Sequence, residues 1–120
     1  MPGRVSRFFI AFWCTALLLL AAGAGFRSPQ HLEEHYRKHG AEFGRISRAE
    51  YLRLAQALRD APPGGPILQD TKMGGVITRF DRRTGHFGAY DPDGVIRTFF
   101  IPTGGEQYFR RQTKRGTSGR

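Results

Sequence analysis

The run Pro62-Pro63-Gly64-Gly65-Pro66 splits the chain into two stretches that cannot share one kind of secondary structure. Proline lacks a backbone N–H and glycine gains little from a fixed conformation, so neither a helix nor a central strand crosses this segment. Before it, apolar residues recur at helical spacing. After it, the period falls to two. A chain with helices first and strands afterwards packs as separate layers, which predicts an α+β fold.

The helical stretch carries its own punctuation. Pro29 suits the first position of a helix, where its missing N–H costs nothing. From Gln30 to Phe43, Leu32, Tyr36 and Phe43 supply the apolar positions, and Gly44 suits the stop. Ser47-Arg48-Ala49-Glu50 is a capping box, with serine and glutamate each satisfying an orphan N–H. The helix it opens carries Tyr51, Leu54, Ala55 and Leu58 at i, i+3, i+4 and i+7, the clearest amphipathic pattern in the chain.

Beyond the break, Val76–Phe80, His86–Tyr90 and Val95–Ile101 read as strands, with Ile67-Leu68-Gln69 as a short extra one. Arg82–Gly85, Asp91-Pro92-Asp93-Gly94 and Pro102–Gly105 read as turns. Strict alternation would put Ile96, Thr98 and Phe100 on one face, and Val95, Arg97, Phe99 and Ile101 on the other. Glu106–Phe109 reads as a last short strand or helical turn, and residues 113–120 as a basic disordered tail. The expected architecture is two N-terminal helices on one face of a small antiparallel sheet of three to five strands, with the other face open to a ligand.

The first residues read as a leader. Arg4 and Arg7 precede an apolar run from Phe8 to Leu20, and Ala22-Gly23-Ala24 fits a small-residue cleavage site. Residues 1–24 are therefore expected to be a signal peptide and 25–112 the folded domain, secreted or periplasmic. The competing reading is an N-terminal membrane anchor, for which the apolar run is short of the roughly 20 residues a spanning helix needs. After cleavage no membrane span and a monomer are expected. The one cysteine, Cys14, lies in the leader, so the domain has neither disulfides nor cysteine-ligated zinc to lean on.

Removing Arg4 and Arg7 from the 19 Lys and Arg leaves 17 against 10 Asp and Glu, a net charge of +7. Such a field favours polyanionic partners. Three of the four histidines fall at four-residue spacing, His31, His35 and His39. His35, Lys38, His39 and Glu42 lie at i, i+3, i+4 and i+7, so one face presents a base, a cation and an orienting carboxylate. His31-Leu32-Glu33-Glu34-His35 also matches the H-x-x-E-H pattern of inverted zinc peptidases. It lacks an evident third ligand, and no metal or cofactor is expected. Arg79, Arg97 and Thr98 interrupt apolar strands, and Tyr108 with Arg110 and Arg111 mixes aromatic and cationic character suited to an RNA backbone.

The ordered set His35-x-x-Lys38-His39-Gly40-x-Glu42-Phe43-Gly44, Glu50-Tyr51-x-x-x-Ala55, Gly85-x-Phe87-Gly88-x-x-Asp91-x-Asp93-Gly94-x-Ile96-x-Thr98-x-Phe100-x-Pro102 and Tyr108-Phe109 resembles small bacterial toxin-type ribonuclease domains. These form the C-termini of polymorphic and contact-dependent growth-inhibition toxins, within the barnase, EndoU, colicin and RelE-like superfamily. The resemblance implies metal-independent cleavage of RNA, the ribose 2′-OH attacking phosphorus to leave a 2′,3′-cyclic phosphate. It implies His39 or His35 as base or acid. Lys38 with Arg79 or Arg97 would stabilise phosphate charge, and Thr98 and Tyr108 would position or protonate. It also implies an immunity protein as inhibitory partner. The alternative is a non-catalytic basic module that binds nucleic acid, an anionic envelope or an acidic protein.

Overall fold

In a computed structural model, residues 23–118 are described. The bulk of the expected leader, residues 1–22, lies outside them. Helix α1 (Pro29–His39) continues as a 3-10 turn (Gly40–Phe43), and helix α2 (Arg48–Asp60) follows. Four strands come next, β1 (Ile67–Thr71), β2 (Ile77–Asp81), β3 (Phe87–Tyr90) and β4 (Ile96–Phe100), and then helix α3 (Glu106–Ser118). The strands form one antiparallel sheet in the order β1-β2-β3-β4. The α+β class therefore holds, with a third helix in addition to the expected pair.

Local chemistry accounts for the helix starts. Ser28 caps α1 by accepting the His31 N–H at 3.2 Å, with Pro29 in the first turn. Ser47 and Glu50 form the reciprocal capping box of α2. Both helices pack on one face of the sheet. Tyr51, Ala55 and Leu58 of α2 join Ile67, Tyr90, Ile96 and Phe99 in the main core. Each fully buried apolar side chain of this kind contributes roughly 1.5–3 kcal/mol. Two tyrosines tie the layers by hydrogen bonds as well as area: Tyr51 Oη donates to the Phe99 carbonyl, and Tyr90 Oη donates to the Ala55 carbonyl at 2.8 Å. Gly88 makes room for the second of these, since a Cβ there would sit 2.3 Å from the Tyr90 hydroxyl.

The opposite face is half covered. Cross-strand pairing lines up Leu68, Phe80, Phe87 and Phe100 as one apolar row. Tyr108 and Phe109 of α3 pack on it. Of the two readings of Glu106–Phe109, strand or helical turn, the helical one holds, and the helix runs on through Ser118 in place of the disordered tail expected from residue 113. The aromatic row offers α3 a surface that short-range sequence patterns do not reveal. The next row is Thr78, Ala89 and Thr98, of which Thr78 and Ala89 are buried and Thr98 is half-buried.

A second departure lies in β4. Strict alternation is broken by a bulge: Ala89 pairs with Thr98, yet Tyr90 pairs with Ile96, leaving Arg97 extra. Ile96 therefore joins Phe99 in the core beneath the helices, while Arg97 turns outward beside Thr98. A bulge re-aims a side chain in this way wherever one strand carries an unpaired residue.

Candidate functional site

The outer edge of β4 is where the two helical histidines arrive. Gly25 accepts the Ile96 N–H at 2.9 Å, which fixes Phe26 against that edge. His35 stacks on Phe26 with ring centroids 5.0 Å apart, and His39 lies one turn on, 6.3 Å from His35. His39 in turn stacks on Phe100, 5.0 Å away at 24°. The expectation that His35 and His39 share a helix face is thus met in detail.

Their environments differ. His39 Nδ1 lies 2.8 Å from one Glu42 carboxylate oxygen, and the other oxygen accepts the Ile101 N–H at 2.8 Å. A carboxylate only accepts, so Nδ1 carries the proton and Nε2 is left for chemistry. His35 has no such partner: its Nδ1 is buried without a hydrogen bond among the described residues. Burial foremost, then the charges of His39 and His31, push its pKa below the ordinary value. His35 is therefore held neutral near pH 7 while His39 is held in one orientation. Lys38 is exposed on the same helix and forms no ion pair among the described residues.

A groove of about 330 Å³ opens between this row of the sheet and α3, lined among others by Lys72, Thr78, Arg97, Thr98, Tyr108 and Gln112. Lys72 is held over it by donating to the Gln112 carbonyl at 2.6 Å. Arg97 reaches it from the bulge, its guanidinium anchored to Asp91 at 2.9 Å. Tyr108 stands edge-on to Phe87 at 5.1 Å and to Phe100 at 5.5 Å. Phe100 is thus shared: His39 on one side, Tyr108 on another. It joins the histidine edge to the cationic groove.

Arg79 is placed elsewhere. It is buried, donating to the Leu58 carbonyl at 3.1 Å, to the Ala61 carbonyl, and to Gln69 at 2.9 Å. Leu58 and Ala61 end α2, whose last carbonyls have no partners within the helix. The cation serves them, so of the two arginines expected at the site only Arg97 lines the groove. Arg110 is engaged by Glu106, which also holds Arg82, and together they depress the Glu106 carboxyl to about 2. Arg111 is exposed, with its guanidinium beside Gly104.

No protein-family model matches the chain, and no curated protein matches it. Among the described residues no three His, Cys, Asp or Glu side chains are grouped as a metal centre requires, so His31, Glu34 and His35 stand without a third ligand. No helix among the described residues is long and apolar enough to cross a membrane.

Lys72 and Asp91 escape sequence reading. Lys72 sits in the β1–β2 hairpin with only a turn signal around it. The Asp91 carboxylate holds Arg97, whereas sequence pattern marks the residue only as the start of a turn.

Proposed function

We propose that the chain is an exported endoribonuclease that cleaves RNA without a metal, by attack of the ribose 2′-OH on the adjacent phosphorus. The 2′-oxygen loses its proton to a base and bonds to phosphorus. The 5′-oxygen leaves and takes a proton from an acid, so the products are a 2′,3′-cyclic phosphate and a 5′-hydroxyl. His35, kept neutral by burial, has the character of the base. His39 acts as the acid in its imidazolium form, Nδ1–H held by Glu42 and the Nε2 proton given to the 5′-oxygen. A pair of titratable groups in contrasting environments suits such a division of labour. Lys38 and Arg97 supply positive charge for the phosphate as its charge builds. Thr98 and Tyr108 position the substrate in the groove. The carrying observation is that Glu42-oriented His39 and groove-lining Tyr108 share Phe100. In the toxin-type reading, the physiological partner besides RNA is an immunity protein that occludes this cleft.

The test is incubation of the purified protein with total RNA in the presence of a chelator. Fragments ending in cyclic phosphate, lost in His39→Ala, support the enzyme. One observation favours a second reading, a basic module that binds without cutting: the groove holds cations and aromatics but none of the histidines. Salt-sensitive RNA binding with no fragments would decide for it.

A further inference from the structure

The chain joins its fold several residues before α1 begins. Two side chains of α2 meet at the Ala24 carbonyl: Gln56 Nε2 donates to it at 2.9 Å and Arg59 Nη1 at 2.7 Å. The same Arg59 nitrogen donates to the Gly94 carbonyl at 3.0 Å, so one guanidinium clamps residue 24 to the β3–β4 turn. Its Nε and Nη2 are held by the Asp60 carboxylate at 2.8 and 2.9 Å. Only 9% of the Arg59 side chain is exposed. Ala24 also packs on the turn, its Cβ 3.8 Å from where a Cβ on Gly94 would stand.

The residues after Ala24 carry this anchorage to the histidines. Gly25 accepts the Ile96 N–H at 2.9 Å, and Phe26 pairs in parallel with Ile96. Phe26 supplies the ring on which His35 stacks at 5.0 Å. Residues 24–26 thus run as one strap from α2 to the outer edge of β4, and the Ala24 carbonyl ties down its start.

Two bonds at the end of the leader satisfy the small-residue rule for cleavage. Ala22-x-Ala24 directs the cut to the Ala24–Gly25 bond. Ala21-x-Gly23 puts small side chains at the same two positions for a cut one bond earlier. The fold treats these cuts differently. A cut after Ala24 removes the carbonyl that Gln56 and Arg59 bind and leaves an α-ammonium on Gly25. That nitrogen lies about 2.3 Å from the carbonyl oxygen across the amide. With Arg59 Nη1 2.7 Å beyond the oxygen, the new charge stands within about 5 Å of a guanidinium. The α-amino group is mostly protonated at neutral pH, so like charges face each other. A cut after Gly23 keeps the carbonyl with both of its donors.

We infer that the leader is cut at the Gly23–Ala24 bond, which makes Ala24 the first residue of the mature domain. The inference rests on the leader reading and is independent of the ribonuclease reading. The test is export of the full chain from a bacterial host, followed by intact mass and N-terminal sequencing of the exported protein. The expected first residue is Ala24. A protein that begins at Gly25 overturns the inference and leaves the leader standing, whereas an uncut chain overturns both. Two substitutions in the leader give a second readout. Ala21→Phe places a bulky ring at a position the cut before Ala24 requires to be small, and Ala22→Phe does so for the cut before Gly25. Ala21→Phe should abolish the product that begins at Ala24, and Ala22→Phe should leave it unchanged. The opposite pattern, or equal processing of both variants, overturns the inference. Both residues depart with the leader, so neither substitution alters the mature domain.

Discussion

Glu42 holds His39 by the Nδ1–H at 2.8 Å while its second oxygen takes the Ile101 N–H at the same distance. The carboxylate is thus fixed by the chain just beyond β4, and it fixes the imidazole in turn. Such a partner sets the tautomer and ring orientation of a catalytic histidine. Glu42→Gln retains the shape but removes the charge and competes for the wrong tautomer. RNA cleavage should fall by at least tenfold, and in His39→Ala by about 10²–10⁴-fold, the usual contribution of a positioned acid or base. Initial rates at saturating RNA check this, together with circular dichroism to show that both variants remain folded.

Arg79 is expected to matter for stability alone. Its substitution by methionine keeps the aliphatic stem but leaves the Leu58 and Ala61 carbonyls without their donor. Hydrogen bonds from charged groups contribute about 1.5–3 kcal/mol each, and buried orphan carbonyls add to the loss. With two such bonds lost, Arg79→Met should destabilise the fold by about 3–6 kcal/mol. Urea titration would show a lower midpoint. A loss of nucleotide binding in the folded variant, with the midpoint unchanged, would contradict this assignment.

How far the sequence could be read is clearest in β4. Element types were legible from period and caps: the capping box at Ser47 and the turn at Asp91–Gly94 appear where their chemistry puts them. The faces of β4 were not, because alternation assumes every residue is paired. One unpaired arginine reverses the sides of Ile96 and Arg97. For α3 the missing information was tertiary. Residues 110–118 are polar and basic, and their helix is extended from Tyr108 and Phe109, whose docking row comes from all four strands. In the site, the histidine spacing disclosed His35 and His39. Arg79 misled because a strand arginine facing helices finds α2 carbonyls in reach, a geometry that no local pattern encodes.

Stability should fall as the medium turns acid, starting below pH 6.5. Burial depresses the pKa of His35, with His39 and His31 adding to it, and burial depresses that of His86 against the opposing Asp81 charge. In each case the unfolded chain, titrating near 6.5, binds a proton before the folded one does. Stability is thus fully present above 6.5 and declines as pH drops toward the folded-state values. His86 packs edge-on to Phe43 at 4.9 Å and to Phe99 at 5.4 Å, so an apolar ring suits its place. Melting temperatures between pH 8 and pH 5 should show the decline, with a shallower slope in His86→Phe. Glu106, whose carboxyl is depressed to about 2 by Arg82 and Arg110, would lose its pairs only at far lower pH.

Arg110 and Arg111 are adjacent but should contribute unequally to RNA affinity. Arg110 donates to Glu106 through Nε at 2.9 Å, so its charge is already matched within the protein. Arg111 has no acidic partner among the described residues and stands exposed on α3 beyond Tyr108. Each phosphate contact on single strands adds about 0.7 to the slope of log affinity against log salt. Arg111→Gln should flatten that slope by about this amount, and Arg110→Gln by less. Fluorescence anisotropy with a labelled oligonucleotide over a salt series distinguishes them. Equal slopes in wild type and Arg111→Gln would take α3 out of the RNA path.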